Sequence, residues 1–279
     1  MRLVARVITI LVRVFDQIAW FVFHVQRLLT GILPVLLPPN ELSRLIRNHY
    51  DHNYQDAVAR HPETYYKWTL ENWEEDVLAC HKMTSGTILV LGAGMGRESI
   101  ALAQRGFVVV SLDINRESLC VTSQQATTKG LQLLVAQADF LAIPIGPARV
   151  DYVVMSGIMY SSIPGRQQRQ AWVRSLRACM NEHGLVVLNF LIGREIGRRT
   201  HRLIHRFNRW LMTLPGTNQS YQLGDTFTQS HFLHAFVDEE EIRSELCDAG
   251  TTVEQLDWQE GFAVLSWPPS PQPSEAIRG

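Results

Sequence analysis

The sequence predicts an α/β protein with a mostly parallel, seven-stranded sheet, helices on both faces and an N-terminal helical appendage. Between residues 86 and 267, short apolar runs alternate with runs of helical spacing. Strands that alternate with helices form parallel sheets that are covered on both faces. A glycine-rich turn follows the first apolar run, and the last two runs are close enough along the chain to form a closing hairpin.

Five strands are predicted from continuous apolar runs, because a strand that is buried on both faces carries apolar residues at successive positions. These runs are residues 87–91, 107–112, 131–136, 150–155 and 185–191. Helical spacing predicts helices over residues 97–104, 116–129, 166–180 and 238–248. The closing hairpin is expected at residues 252–258 and 261–267.

Composition divides the chain into four segments. They are an apolar appendage (1–40), a helical cap rich in His, Tyr and Trp (41–85), the α/β domain (86–267) and a flexible, proline-rich tail (268–279). The α/β domain also contains a basic helical insertion at residues 192–226.

The overall composition argues against several classes of protein. The formal net charge of −1 gives no support for a nucleic-acid partner. The four cysteines are far apart in the sequence, so they are expected to be free thiols in a reducing compartment. No group of His, Cys and carboxylate residues has the spacing of a metal site, so no metal is expected.

The appendage is apolar but does not have the pattern of a simple membrane span. Charges at Arg6, Arg13, Asp16 and Arg27 interrupt it, and on a helix they fall within one narrow sector. A helix with a cationic stripe and a wide apolar face is typical of in-plane membrane binding. Burial against the protein body or in a homodimer, and a true span, remain the alternatives.

The basic insertion predicts a second amphipathic element. Its arginines recur at helical spacing at positions 194, 198, 202, 206 and 209, and apolar residues lie between them. A solvated basic face is the simpler interpretation. Two cationic amphipathic elements in one chain nevertheless favour an anionic membrane surface. We therefore expect a cytoplasmic protein that associates peripherally with a membrane through residues 1–37 and 194–214.

Three features are predicted to meet at the carboxyl ends of the strands, where ligands bind in parallel sheets. The first is the turn Gly92-Ala93-Gly94-Met95-Gly96, whose glycines allow close approach of a ligand to the backbone. The second is Asp113, which ends the second strand and can accept hydrogen bonds from ribose hydroxyls. The third is the pair Asp139-Phe140, which follows the third strand and can frame an adenine.

In these motifs the chain resembles the class I S-adenosylmethionine-dependent methyltransferases, which have a Rossmann-like fold. The resemblance covers Gly86 to about Leu191 and includes the fourth strand at Asp151–Ser156. It implies S-adenosylmethionine as cofactor, with the glycines near its methionine part, Asp113 on the ribose and Asp139-Phe140 at the adenine. The implied cofactor contacts are Gly92, Ala93, Gly94, Gly96, Asp113, Ile114, Asp139, Phe140 and Ser156.

The sequence departs from the family at one point, because the acidic residue common before the first glycine is absent. Two alternatives also stay open. A nicotinamide-dependent oxidoreductase is disfavoured because position 97 is Arg rather than the third glycine of a dinucleotide-binding turn. A non-catalytic membrane adaptor that retains the fold is disfavoured by the intact glycines and Asp113.

The acceptor is expected to be a lipophilic or lipid-linked small molecule that is methylated on oxygen. The loop after the fourth strand lacks the Asn/Asp-Pro-Pro-aromatic run of many enzymes that methylate amino groups, and it resembles small-molecule and lipid methyltransferases. A hydroxyl acceptor benefits from a general base. The candidate catalytic residues are His231, His234 and Tyr160, with His49, Tyr50 and Tyr54 of the cap as further candidates.

Overall fold

The structure is a computed structural model that describes residues 2–53, 68–147, 149–155, 157–194, 199–228 and 231–268. The described residues form eight α-helices and ten strands. The helices are α1 (Arg2–Leu36), α2 (Pro39–Asn48), α3 (Asn72–Cys80), α4 (Arg97–Gln104), α5 (Arg116–Thr128), α6 (Arg166–Leu176), α7 (Arg199–Leu211) and α8 (Glu239–Asp248). A π-helical turn (His49–Asn53) follows α2, and a 3-10 turn covers Met159–Ser162.

The strands are β1 (Thr87–Leu91), β2 (Val108–Asp113), β3 (Leu133–Gln137), β4 (Val150–Met155), β5 (Met180–Asn189), β6 (Leu191–Ile192), β7 (Asp225–Thr228), β8 (His231–Phe236), β9 (Thr252–Asp257) and β10 (Phe262–Ser266). Seven of them form one sheet in the order β3-β2-β1-β4-β5-β10-β9. β10 runs antiparallel to both of its neighbours, and the other pairs are parallel. The predicted seven-stranded, mostly parallel sheet is therefore confirmed, including its closing hairpin.

Strand β1 shows why the apolar runs are continuous. Leu89 and Leu91 belong to one buried cluster, and Ile88 and Val90 belong to a second. All four side chains are fully buried. Because neighbouring side chains of a strand point to opposite faces, both faces of the sheet are packed. The strand order reverses between β1 and β4, which opens a crevice at their carboxyl ends.

Two parts of the fold differ from the sequence prediction. Helix α6 ends at Leu176 rather than continuing to residue 180, and β5 begins at Met180. Met180 pairs with Val150 of β4, so tertiary pairing prevails over the helical pattern there. In addition, β6, β8 and β7 form a separate small sheet at the insertion. The sequence pattern predicts no strand between residues 192 and 237.

Helix α1 has an exposed half and a packed half. Its first half carries large apolar side chains in solvent, for example Phe15 at 68% and Trp20 at 62% relative exposure. Its last turns pack against α7 and β7: the Asn208 side chain donates to the carbonyl of Gly31 at 2.7 Å, and Val35 is fully buried. By length and composition, the Val4–Leu36 stretch is long and apolar enough to cross a membrane.

Candidate active site

The glycine turn joins β1 to α4 and requires glycine for steric reasons. Gly92, Gly94 and Gly96 all have positive φ angles, of 67°, 51° and 86°. A Cβ atom on Gly96 would lie 2.6 Å from the side chain of Thr122. One on Gly92 would lie 3.2 Å from Met159. Glycine therefore relieves strain and brings the backbone close to neighbouring elements.

Asp113 lies at the end of β2 and holds the glycine turn. Its Oδ2 accepts from the amide of Gly94 at 2.7 Å, and its Oδ1 accepts from the amide of Asn115 at 2.7 Å. Burial raises the pKa of Asp113, although the backbone donors lower it in part. A carboxylate offers about four acceptor positions, so this one can still accept from ligand hydroxyls.

Asp139 and Phe140 follow β3 on the same edge of the sheet. The amide of Ala138 donates to the carbonyl of Asp113 at 2.9 Å, which joins the ends of β2 and β3. The Asp139 carboxylate accepts from the amide of Leu141 and, at 2.6 Å, from Nε of Arg47. The Phe140 carbonyl accepts from the indole of Trp172. These contacts fix the loop that the sequence predicts to lie beside adenine.

A cavity of about 320 Å³ lies between these loops. Among the predicted cofactor residues, those that line it are Gly92, Ala93, Gly94, Asp113, Ile114, Asp139 and Phe140. Gly96 shapes the turn behind the cavity. Ser156 lies outside the described residues, as does Tyr54. The crevice at the strand ends therefore brings together three motifs that are far apart in the sequence.

Sequence reasoning missed several residues that line the cavity. They are Ile46, Arg47, Met95, Arg97, Glu98, Ala138, Gly157, Ile158 and Met159. Arg97 and Glu98 directly follow the glycine turn, and the segment Gly157–Met159 follows the fourth strand. Because these motifs end at the crevice, the adjacent residues could have been predicted to line the cavity. The cap residues could not be predicted in this way, because nothing in their spacing shows that α2 covers the cavity.

Arg97 occupies the position where a dinucleotide-binding turn would have its third glycine. Its guanidinium binds Glu74 through both terminal nitrogens, at 2.7 and 2.8 Å, and also Glu98 at 2.6 Å. This network ties α3 to the start of α4 and leaves the buried carboxyl group of Glu98 beside the glycine turn.

Tyr160 does not lie on the cavity surface. Its side chain is fully buried, and its hydroxyl donates to Glu245 at 2.6 Å. Glu245 also receives two hydrogen bonds from the buried guanidinium of Arg169. Burial raises the pKa of Tyr160 well above its ordinary value. The structure does not bring Tyr160, which the sequence predicts to be catalytic, to the cavity, because its hydroxyl joins the 3-10 turn to Glu245 of α8.

His234 is also removed from the cavity. It is fully buried, its Nδ1 lies 2.7 Å from Asp225, and its Nε2 makes a looser ion-pair contact with Glu241 at 3.2 Å. Burial and Arg169 oppose its charge, but the two carboxylates raise the pKa of His234 overall. The expectation that His234 contacts the substrate is therefore not supported by its placement, which joins β7, β8 and α8.

His231 lies at the start of β8, beside the cap. Its ring stacks on that of His49, with the centroids 4.2 Å apart, and lies 5.6 Å from the ring of Tyr50. Tyr50 lines the cavity. Burial lowers the pKa of His231 to about 4, so the ring is neutral at pH 7. Its buried Nδ1 has no hydrogen-bond partner among the described residues.

The fold and this crevice are similar to those of the class I S-adenosylmethionine-dependent methyltransferases. The family model described as a methyltransferase domain matches residues 88–184, which run from β1 into β5. The chain therefore contains a methyltransferase domain, with S-adenosylmethionine as its cofactor. No curated protein sequence matches the chain.

Many solved structures share the fold. An S-adenosylmethionine-dependent methyltransferase from Methanosarcina mazei is 17% identical, with a TM-score of 0.53, and the match covers 71% of this chain and 99% of that one. The 1,6-didemethyltoxoflavin N1-methyltransferase of Burkholderia thailandensis, solved with S-adenosylhomocysteine, is 14% identical with a TM-score of 0.56, covering 82% and 89%. At these identities the likeness shows the fold alone.

Replacing Asp113 tests the cofactor site. Asp113→Asn keeps one carbonyl acceptor but removes the charge and the second acceptor, so it should weaken S-adenosylhomocysteine binding by about tenfold or more. Calorimetry gives the affinity, and the melting temperature shows whether the variant folds. Glu117→Gln, on an exposed position of α5, is the matched control. Equal binding by wild type and a folded Asp113→Asn would contradict the assignment.

The buried His234 ion pair should make stability depend on pH. Because the folded-state pKa of His234 is raised, its contribution is fully present below the unfolded pKa of about 6.5 and is lost as pH rises through the folded pKa. We expect His234→Gln to destabilise most below pH ~6.5, and by less at alkaline pH, in urea unfolding. His183→Gln, at an exposed position, is the control. A pH-independent difference would contradict this charge assignment.

Proposed function

We propose that the protein transfers a methyl group from S-adenosylmethionine to an oxygen of a lipophilic or lipid-linked small molecule at the cytoplasmic face of a membrane. The observation that carries this proposal is the exposed apolar surface of α1, which leads directly into the helix that covers the cofactor cavity.

The membrane face consists of α1 and α7. On α7 the apolar side chains Leu203, Phe207 and Trp210 are 44–64% exposed and recur at helical spacing, and Leu214, just after the helix, is 43% exposed. Exposed arginines lie at positions 202, 206 and 209 of the same helix. Monomeric soluble proteins rarely expose so large an apolar patch. An apolar face beside cationic residues suits insertion into the headgroup region of an anionic bilayer.

The two helices are held side by side, so they can bind one surface together. Besides the Asn208 contact with Gly31, Arg27 contacts His201 at the start of α7. Full burial of a large apolar side chain contributes about 1.5–3 kcal/mol. Each basic residue near an anionic leaflet adds about 1 kcal/mol. Several such side chains on α1 and α7 are sufficient for stable peripheral binding.

The cavity residues have the chemistry that the cofactor needs. Asp113 can accept from the ribose hydroxyls, Asp139 can accept from the adenine amino group, and the glycine turn leaves room for the methionine part. When bound, S-adenosylmethionine supplies an activated methyl group on a sulfonium. Methyl transfer is an in-line displacement, so the chief contribution of the chain is to position the two reactants and exclude water.

His231 is the residue that we assign to the acceptor hydroxyl. The C–O bond forms as the C–S bond breaks, and the hydroxyl proton must leave. A neutral imidazole at the cap can accept a hydrogen bond from that hydroxyl and orient its oxygen for attack on the methyl group, while the proton leaves to solvent. Its unpartnered Nδ1 and its stacking next to Tyr50 support this role. The Burkholderia neighbour, which is named as an N1-methyltransferase of 1,6-didemethyltoxoflavin, supports a small-molecule acceptor but not the choice of oxygen.

Transfer of labelled methyl from S-adenosylmethionine into a lipid extract tests the proposal. We expect a labelled, organic-soluble product, and His231→Gln should lower its rate by about 10²-fold with unchanged cofactor affinity. His183→Gln is the control. Label found only in water-soluble acceptors would contradict the lipophilic substrate, and an unchanged rate in His231→Gln would contradict the role of His231.

Vesicle flotation tests the membrane face separately. The exposed residues Phe15 and Trp20 of α1 are replaced by Glu, and the similarly exposed Leu134 on the edge strand β3 is replaced in the control. We expect wild type and Leu134→Glu to float with anionic vesicles, and the α1 variant to remain below. If wild type does not float and forms a dimer in light scattering, α1 is an interface between two copies and the membrane proposal is wrong.

A further inference from the structure

Helix α2 and the π-helical turn after it form one wall of the cofactor cavity. Ile46, Arg47 and Tyr50 all line the cavity. On its other side, α2 buries Leu42 and Ile46 against Phe232 of β8. The wall therefore comes from outside the glycine, ribose and adenine motifs and lines the same cavity as they do.

Two contacts fasten this wall to the ends of the strands. At one side, Nε of Arg47 donates to Asp139 Oδ2 at 2.6 Å, after β3. At the other side, the Asn115 side-chain amide donates to the carbonyl of Asp51 at 2.9 Å, after β2. Both contacts join residues that are more than 60 positions apart. They connect the wall to the predicted adenine loop and ribose strand.

The two contacts differ in exposure. The Arg47 and Asp139 side chains are 50% and 21% exposed, whereas Asn115 is 3% exposed. Asn115 Oδ1 also accepts from the amide of Ser118 and caps α5. An ion pair open to solvent contributes little free energy and breaks readily. The wall is thus anchored at Asn115 and through Leu42 on β8, and its Arg47–Asp139 contact is the one that solvent can reach and weaken.

The same wall is joined to the membrane face. Helix α2 begins three residues after α1 ends. Apolar packing spans this corner, because Leu37 contacts the buried cluster that contains Leu42 of α2 and Phe232 of β8. The corner allows little independent movement, so the orientation of α1 affects the orientation of α2.

From this geometry we propose that Arg47 is a cofactor-positioning residue, and that α2 is a lid over the cavity which membrane binding of α1 holds closed. The inference rests on the proposed function, since it takes the cavity as the S-adenosylmethionine site and α1 as the membrane element. With the lid closed, Arg47 orients the Asp139 carboxylate from one side and leaves acceptor positions for the adenine amino group.

The test measures S-adenosylhomocysteine affinity by calorimetry and its release rate by stopped flow. Full-length protein is compared in nonionic detergent and on vesicles of phosphatidylcholine and phosphatidylglycerol. The variants are Arg47→Ala, Arg47→Lys, Asp139→Asn and the Arg47→Ala/Asp139→Asn double variant. Arg44→Ala is the matched control, because Arg44 is on the same helix and forms a local ion pair with Glu41.

On vesicles, Arg47→Ala should weaken binding about tenfold, mainly by faster release, while adding nothing in the Asp139→Asn background. Arg47→Lys should restore part of the affinity. Vesicles should slow release from wild type and Arg44→Ala but not from Arg47→Ala. A merely structural role for Arg47 would lower the melting temperature without this coupling.

Three results would overturn the inference. The first is that Arg47→Ala leaves the S-adenosylhomocysteine affinity unchanged. The second is that Arg47→Ala lowers the affinity equally in the wild-type and Asp139→Asn backgrounds, and the third is that vesicles slow ligand release equally in wild type and Arg47→Ala. If these occur while wild type binds S-adenosylhomocysteine and floats with vesicles, the proposed function survives and the lid alone is wrong. If wild type does not bind S-adenosylhomocysteine, both fail.

Discussion

The carboxylate of Asp113 accepts two backbone amides, and the geometry of the cofactor cavity depends on this pair of hydrogen bonds. Through Gly94 it holds the turn after β1, and through Asn115 it holds the start of α5. Asn115 in turn binds the cap at Asp51. Burial opposes the charge of Asp113, and hydrogen bonds in a low-dielectric site are correspondingly strong. The two backbone hydrogen bonds therefore orient the Asp113 carboxylate before its oxygens accept hydrogen bonds from a ribose.

The exposed half of α1 is the second constraint, because the fold leaves its apolar side chains in water. The last turns of α1 are fixed to α7 and to Asn218, whose backbone and side-chain amides donate to Val35 and Pro34. The exposed surface is therefore held in a defined orientation to the enzyme domain. In our proposal a bilayer covers it, which places the cap and its cavity close to a lipophilic acceptor and couples lid position to membrane binding.

The fold and the cofactor motifs could be predicted from the sequence because they depend on local patterns. Apolar runs identify buried strands, and glycines and carboxylates at strand ends identify the crevice. Arg47 and Asp139 are 92 positions apart in the sequence. Their contact is made by tertiary packing, so no local sequence pattern predicts it. Tyr160 and His234 were proposed as catalytic because Tyr and His are chemically suitable. Their burial in ion-pair and hydrogen-bond networks could be seen only in three dimensions.

A crystal structure of the protein with S-adenosylhomocysteine tests the central claim most directly. The account predicts the ligand in the cavity between the glycine turn and α2, with its ribose hydroxyls on Asp113, its adenine beside Asp139 and Phe140, and its homocysteine part along Gly92–Gly94. Electron density for the ligand at another place, or an adenine that contacts neither Asp113 nor Asp139, would contradict the account.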